Sequence, residues 1–184
     1  MLRKSILASS LFLASAACAA TSQAEGFTLS SPEIAEGQAL SSVQVFQGFG
    51  CEGDNQSPAL SWSGAPEGTK SFALTVYDPD APTGSGWWHW NVVNIPAETT
   101  SIVAGASNTD SMPEGSRELT NDYGAVGFGG ACPPQGEVHR YQFTLHALGT
   151  DSLDLPETAS NALTGFMINA NAIDTATITA VYTR

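Results

Sequence analysis

The sequence has 184 residues, of which 6 are Lys or Arg and 18 are Asp or Glu, so the formal net charge is −12 at pH 7. A chain this acidic disfavours nucleic acid and anionic membrane surfaces as partners, because both carry negative charge. The length suits a single domain with a substantial core.

Residues 1–24 have the composition of a secretory signal peptide. A basic start is followed by an apolar run that ends in small residues, and the run is too short to span a bilayer as a helix. We therefore expect residues 25–184 to form one domain that is periplasmic or secreted, with no integral membrane segment in the mature chain. Lipidation at Cys18 is the lesser alternative, because Ser15 stands where a lipobox needs a large aliphatic residue.

Short apolar segments separated by Pro, Gly and Asn come next, and their spacing is typical of a β-sandwich. We expect a mostly-β fold, an antiparallel β-sandwich with Greek-key type connections and one or two peripheral helices. The predicted strands cover residues 27–30, 43–46, 59–62, 71–77, 88–95, 139–147 and 177–183; the predicted helix covers residues 156–172, with Ala159, Leu163, Phe166, Met167 and Ala170 on its apolar side.

Two cysteines remain in the mature chain. Because an exported protein meets an oxidising compartment, Cys51 and Cys132 are expected to form a disulfide that ties two glycine-containing loops together. A zinc site that combines a cysteine with His89 and His139 is the weaker alternative, since no Cys-x-x-Cys or His-x-x-x-His spacing occurs. We expect no metal and no cofactor.

An unusual polar residue ends the strand at 71–77. Phe72, Leu74 and Val76 form the apolar face of this strand, and Asp78 continues the same face. Burying a carboxylate without partners is costly, and a proline follows at once, so we expect Asp78 at a rim.

Histidines begin two other strands. His89 opens the strand at 88–95, and the two-residue period predicts Trp88 and Trp90 on the face opposite to it. His139 leads an apolar stripe in the strand at 139–147, where Tyr141 follows on the same face.

The strand ends predict a pocket. Asp78, His89, His139 and Tyr141 are each expected at the same open end of the sandwich, where they could surround a small ligand. His146 lacks this context and is interpreted as structural. Ser57 lies in an Asn-Gln-Ser-Pro turn without the surroundings of a catalytic serine, and it is interpreted as a turn residue.

Four motifs resemble the signature of the phosphatidylethanolamine-binding protein family, in particular its bacterial Raf-kinase-inhibitor-like branch. The motifs are Asp78-Pro-Asp-Ala-Pro82, Trp87-Trp-His-Trp90, Pro133-Pro134-x-Gly136 and His139-Arg140-Tyr141, and the resemblance runs from about residue 27 to the C-terminus. The segments Asn121-Asp-Tyr-Gly124 and 127–134 resemble the family's ligand loop, in which backbone amides freed by glycine can point at an anion.

The resemblance implies a binding protein for a small anionic group, which is a phosphate, a phospholipid head group or a carboxylate. The ligand-binding residues that it implies are Asp78, Asp80, Pro82, Trp88, His89, Gly130, Cys132, His139 and Tyr141. Two other classes stay open: a protease or kinase inhibitor with an unknown protein partner, and a hydrolase that uses Asp78, His89 and His139. We expect no enzymatic activity, because no nucleophile or metal motif accompanies these residues. A homodimer is also open.

Overall fold

The computed structural model describes residues 26–184, so the predicted signal peptide and the Cys18 alternative lie outside the described residues. The described part of the chain has four long strands, six short strands and one α-helix. The strands are β1 (Thr28–Ser30), β2 (Gln47–Gly48), β3 (Cys51–Glu52), β4 (Leu60–Ser63), β5 (Ser71–Asp78), β6 (Trp87–Pro96), β7 (Ser101–Ile102), β8 (Arg117–Glu118), β9 (Val138–Leu148) and β10 (Ala172–Thr183), and the helix is α1 (Asn161–Asn171).

Two antiparallel sheets form the sandwich. One has five strands in the order β10-β9-β5-β6-β8, and the other has three in the order β1-β4-β7, while β2 and β3 form a separate ribbon. The mostly-β sandwich that the sequence predicts is confirmed. Strand β9 lies between β5 and β10, so two distant parts of the chain meet in the centre of the large sheet.

The main core fills the space between the two sheets. The alternating side chains of β5 and β9 supply much of it, and Trp62 from the small sheet meets Phe72 from the large one with ring centroids 5.6 Å apart. The opposite face of the large sheet is covered by α1, where Ile168 packs with Leu153 and Leu155. The sandwich therefore has a third, helical layer on one side only.

The helix begins later than the sequence predicts. Residue 160 is the N-cap, and the Ser160 hydroxyl accepts a hydrogen bond from the amide of Leu163, so the segment from 156 to 159 forms a turn. The buried residues of α1 are Thr164 and Ile168, whereas Phe166 is 67% exposed. The predicted apolar side is therefore confirmed for Ala159 and Met167, which pack against the core, and wrong for Leu163, Phe166 and Ala170, which are exposed.

The predicted strand at 43–46 is also wrong. Ser42–Gln44 is a 3-10 turn, in which the Ser41 hydroxyl accepts from the amide of Val43 and donates to the amide oxygen of the Gln44 side chain. This capping hydrogen bond favours a turn over an extended strand.

Within residues 26–184, no helix is long and apolar enough to cross a membrane.

Candidate functional site

A cavity of about 160 Å³ lies where β5, β6 and β9 meet the loops at one end of the sandwich. All four side chains that the strand patterns bring together line it, namely Asp78, His89, His139 and Tyr141. The other lining residues are Phe49, Ala81, Pro82, Thr83, Trp87, Tyr123, Cys132, Pro133 and Pro134. The predicted convergence of the strand ends is therefore present.

A β-bulge in β6 aims His89 into this cavity. Val76 pairs with Trp90 and the next residue, Tyr77, pairs with Trp88, so His89 is an extra residue in β6. The prediction that Trp90 faces away from His89 is wrong: Trp90 belongs to the main core, on the cavity side of the sheet. The bulge is the reason, since an inserted residue breaks the two-residue alternation. Trp88 does lie on the other face, against the ring of Tyr77.

Asp78 is buried and not at a rim, with 3% of its surface exposed. Its Oδ1 accepts hydrogen bonds from the backbone amides of Asp80 and Ala81 at 2.8 and 3.2 Å. Its Oδ2 lies 2.6 Å from Nδ1 of His139. The expected rim position is thus corrected: the turn after β5 and one imidazole supply the partners that a buried carboxylate needs.

His139 has a carboxylate on each ring nitrogen. Besides the contact of Nδ1 with Asp78, its Nε2 lies 3.0 Å from Oε2 of Glu137. A carboxylate only accepts hydrogen bonds, so both nitrogens donate and the ring is an imidazolium. Burial acts against this charge, but the hydrogen bonds to Glu137 and Asp78 outweigh it and raise the pKa of His139.

His89 is in a different state. Its Nδ1 lies 2.7 Å from the carbonyl oxygen of Gly129, while its Nε2 is buried and has no hydrogen-bond partner in the described residues. Burial lowers the pKa of His89, and the hydrogen bond to the Gly129 carbonyl only partly offsets this. The two histidines therefore differ: His139 is cationic and saturated, and His89 is neutral with one free nitrogen.

Two tyrosines complete the polar wall. Burial raises the pKa of both Tyr123 and Tyr141, so their hydroxyls stay neutral and can donate. The Tyr123 hydroxyl donates to the carbonyl of Gly130 at 2.9 Å. The hydroxyl of Tyr141 is buried without a partner in the described part of the chain, and so is Nε1 of Trp87.

Three of the implied ligand-binding residues do not line the cavity. Asp80 binds Arg140, whose Nη2 donates to Oδ1 at 2.6 Å, and this hydrogen bond lowers the pKa of Asp80 to about 2. Trp88 does not line the cavity, but its neighbour Trp87 does. Gly130 lies behind the wall, where its amide donates to Oδ1 of Asn55 at 2.7 Å.

The loop amides are already used inside the protein. The amide of Gly129 donates to the carbonyl of His89 at 2.8 Å, and that of Ala131 donates to the carbonyl of Gln44 at 3.0 Å. A Cβ on Gly130 would lie 2.4 Å from the carbonyl oxygen of Gln44. The glycines therefore permit close packing of the loop. The resemblance implies that the amides at 129–131 point at the cavity, but they are bonded to other parts of the protein instead.

Sequence reasoning did not identify Glu137 or Tyr123 as individual site residues. Glu137 lies two residues before His139, so the same alternation that selected His139 and Tyr141 would place it on their side. Tyr123 lies in the long loop between β8 and β9, where no periodicity indicates which residue turns inward. His146 contacts Thr75 at 3.1 Å and does not line the cavity.

The predicted disulfide is present between Cys51 and Cys132, with the Cα atoms 6.0 Å apart. Cys132 lines the cavity, and Phe49, two residues before Cys51, lies at its mouth with 74% of its surface exposed. Within residues 26–184, no group of three or more His, Cys, Asp or Glu side chains is arranged to hold a metal ion.

The site is a partly open pocket at one end of a β-sandwich, where buried polar side chains meet apolar and aromatic ones. Residues 30–183 match the family model described as phosphatidylethanolamine-binding protein. The protein YbcL of Escherichia coli (strain K12) is 56% identical over 165 residues, which is 88% of this chain and 90% of YbcL. This chain therefore belongs to the phosphatidylethanolamine-binding protein family, as its motifs predict.

Other relatives agree with this assignment. The crystal structure of YbcL, described as a new member of the mammalian PEBP family, has a TM-score of 0.85 at 55% identity and covers 87% of this chain and 99% of its own. YbhB of the same organism is 48% identical over 155 residues, 84% of this chain and 98% of YbhB. LppC of Mycobacterium tuberculosis, whose name describes a lipoprotein, is 38% identical over 138 residues, 74% of this chain and 62% of LppC.

Proposed function

We propose that this protein binds a small anionic group, such as a phosphate, a phospholipid head group or a carboxylate, in the cavity beside His139. One observation carries the proposal. Three buried polar atoms have no partner among the described residues, and all three residues line the same cavity: Nε2 of His89, the hydroxyl of Tyr141 and Nε1 of Trp87. Because unpaired buried polar groups are costly, their concentration around one cavity indicates a ligand that satisfies them.

The charge in the cavity supports an anion. His139 contributes an imidazolium whose Nε2 is held by Glu137, a residue outside the cavity lining with 52% of its side chain exposed. The cavity groups that have no partner in the described residues are neutral. Arg140 lies on the opposite face of β9 and forms a salt bridge with Asp80, so it does not supply a positive charge to the cavity. An anion that takes the place of Glu137 at Nε2 gains a hydrogen bond from the imidazolium of His139, in addition to hydrogen bonds from Tyr141 and Trp87.

The size of the cavity supports a small group. Pockets for drug-sized molecules have volumes of roughly 300–1,000 Å³, whereas this cavity has about 160 Å³. A head group or a free anion suits such a volume, and a longer substituent would pass Phe49 at the mouth.

The hydrogen bonding favours binding over hydrolysis. His139 is not available as a general base, because both of its nitrogens are occupied by Asp78 and Glu137. Nε2 of His89 is free to accept a proton, but the described lining of the cavity offers it no serine or free thiol as a nucleophile. The cysteine that lines the cavity is held in the disulfide with Cys51. We therefore propose a non-catalytic role, in which Asp78 positions His139.

We also propose that the protein is exported. The support comes from the disulfide between Cys51 and Cys132, since disulfides persist in oxidising compartments, and from the similarity to LppC, which is named as a lipoprotein. Fractionation of cells that express the full chain would test this proposal, and recovery of the protein only from the reducing cytoplasm would contradict it.

The binding proposal is tested by calorimetric titration with inorganic phosphate. Tyr141→Phe removes one unpartnered hydroxyl, and we expect the affinity to fall by roughly ten-fold, as for loss of one hydrogen bond to a charged group. Tyr77→Phe is the matched control, because its hydroxyl donates to the carbonyl of Ser85 and Tyr77 does not line the cavity. Equal affinity in wild type and Tyr141→Phe would contradict the assignment of the site.

A further inference from the structure

We propose that His89 makes the pocket select oxyanions that still carry a proton, such as hydrogen phosphate, over oxyanions without one, such as sulfate or a phosphodiester. This inference rests on the proposed anion-binding function. It narrows the proposed ligands to those with a protonated oxygen, so it favours hydrogen phosphate or a phosphate monoester over the phosphodiester of an intact phospholipid.

The tautomer of His89 is fixed by its partner. The carbonyl of Gly129 can only accept, so Nδ1, at 2.7 Å from it, carries the proton. In a neutral imidazole the other nitrogen is then an acceptor. That nitrogen, Nε2, is buried, has no partner in the described residues and belongs to a side chain that lines the cavity.

The ring of His89 is held in this position. It is 2% exposed, and it makes edge contacts with Tyr141 and Tyr123 at centroid distances of 5.1 and 5.6 Å. The bulge in β6 fixes the backbone beneath it, and the amide of Gly129 donates to the carbonyl of His89 at 2.8 Å. The acceptor therefore cannot turn away from the cavity without breaking these contacts.

The groups that face His89 leave it neutral. Burial disfavours its charge, and the nearby phenols of Tyr123 and Tyr141 are themselves uncharged. Asp78 favours a charge on His89, but this carboxylate is already paired with His139. Asp122 acts in the same direction from the other side of β6, where it accepts from the amide of Trp88.

The pocket thus offers one acceptor and two donors. Trp87 can only donate through Nε1, and the hydroxyl of Tyr141 can donate to an anion. A phosphate with a P–OH satisfies all three groups at once, because its hydroxyl donates to His89 and its other oxygens accept. Sulfate instead places an oxygen lone pair against the lone pair of Nε2, or it forces a buried imidazole to take up a proton.

Titration calorimetry with three probes tests the inference at about pH 7.5, where hydrogen phosphate and sulfate both carry mostly two charges. Dimethyl phosphate, with one charge and no P–OH, is the third probe and controls for charge. We expect phosphate to bind roughly ten- to hundred-fold more tightly than either of the others, which is the range for leaving a buried polar group unpaired. His89→Gln, whose amide can turn to donate, should bring the phosphate-to-sulfate ratio close to one, and His146→Gln should leave it unchanged.

Failure of the selectivity inference and failure of the anion-binding proposal give different results in this experiment. Sulfate that binds as tightly as phosphate, with proton uptake shown by buffers of different ionisation enthalpy, would overturn the inference and leave anion binding intact. If none of the three anions binds, the proposed function itself is wrong and the inference falls with it. If His89→Gln does not fold, the phosphate-to-sulfate affinity ratio of the wild-type protein still tests the inference.

Discussion

At the scale of the residue, the site depends on two histidines in opposite states. His139 is an imidazolium because carboxylates occupy both of its nitrogens, and His89 is neutral because a carbonyl fixes one nitrogen and burial opposes a charge. The sequence predicted that both would reach one pocket from the ends of their strands. It could not predict their protonation, because Glu137 and Gly129 became partners only through the fold.

Glu137 is the residue whose effect on His139 can be isolated. Glu137→Gln removes one of two carboxylates while Asp78 stays in place, so we expect the pKa of His139 to fall. The NMR chemical shifts of the imidazole protons, recorded as a function of pH, measure this pKa. Glu67→Gln, on the exposed surface, removes the same charge and should leave the pKa of His139 unchanged.

The pKa of His139 is also linked to stability. Because the folded-state pKa is raised, His139 stabilises the fold fully below its usual pKa of 6.5, and this contribution is lost as the pH rises through the folded-state value. Glu137→Gln should therefore flatten the decline in unfolding free energy above neutral pH. An unchanged pKa of His139 in this variant would show that the contact with Glu137 has no energetic weight.

At the scale of the element, the two-residue alternation of side chains predicted the buried face of a strand correctly only where the strand is regular. It correctly placed His139 and Tyr141 on the core face of β9, which pairs without a bulge along β5. It failed in β6, where the extra residue His89 interrupts the alternation. A bulge leaves no period in the sequence, so the position of Trp90 became evident only from the pairing.

The bulge predicts different costs for two neighbouring residues. Trp90 is fully buried in the main core, and Trp90→Ala should destabilise the fold by about 3–5 kcal/mol. His89→Ala should cost less stability and mainly reduce ligand binding, because Nε2 has no hydrogen-bond partner within residues 26–184. Denaturant unfolding and phosphate titration of both variants measure these effects, and the opposite order would mean that His89, not Trp90, holds the core together.

At the scale of the whole molecule, a disulfide joins the two loops beside the pocket. The cysteine count and the expected export predicted the pair between Cys51 and Cys132, and the structure confirms it. The sequence also predicted the sandwich from the spacing of its strands. It did not predict that the amides of the 129–131 loop turn inward, since that follows from Gln44 and Asn55, which lie far away in the sequence.

The disulfide predicts that the mature protein has no free thiol. A thiol reagent applied to the unfolded, unreduced protein should therefore titrate no group, and titration of two would contradict the pairing. Replacing both Cys51 and Cys132 with serine should lower stability by up to about 4 kcal/mol, because the bridge spans 81 residues of sequence. Hydrogen exchange should then increase most in the loops around Phe49 and residue 131.

The central claim is that a charged His139 binds an anion in this otherwise acidic protein. The most direct measurement is calorimetric titration of inorganic phosphate into the wild-type protein, His139→Gln and His146→Gln at about pH 6.5, where a histidine with a raised pKa is protonated. Both substitutions change a buried imidazole of β9, but only His139 lines the cavity. We predict that His139→Gln weakens phosphate binding by at least about ten-fold, because phosphate that displaces the half-exposed Glu137 from Nε2 then loses a charged donor. We predict that His146→Gln binds like wild type. Equal affinity in His139→Gln and wild type would contradict the claim.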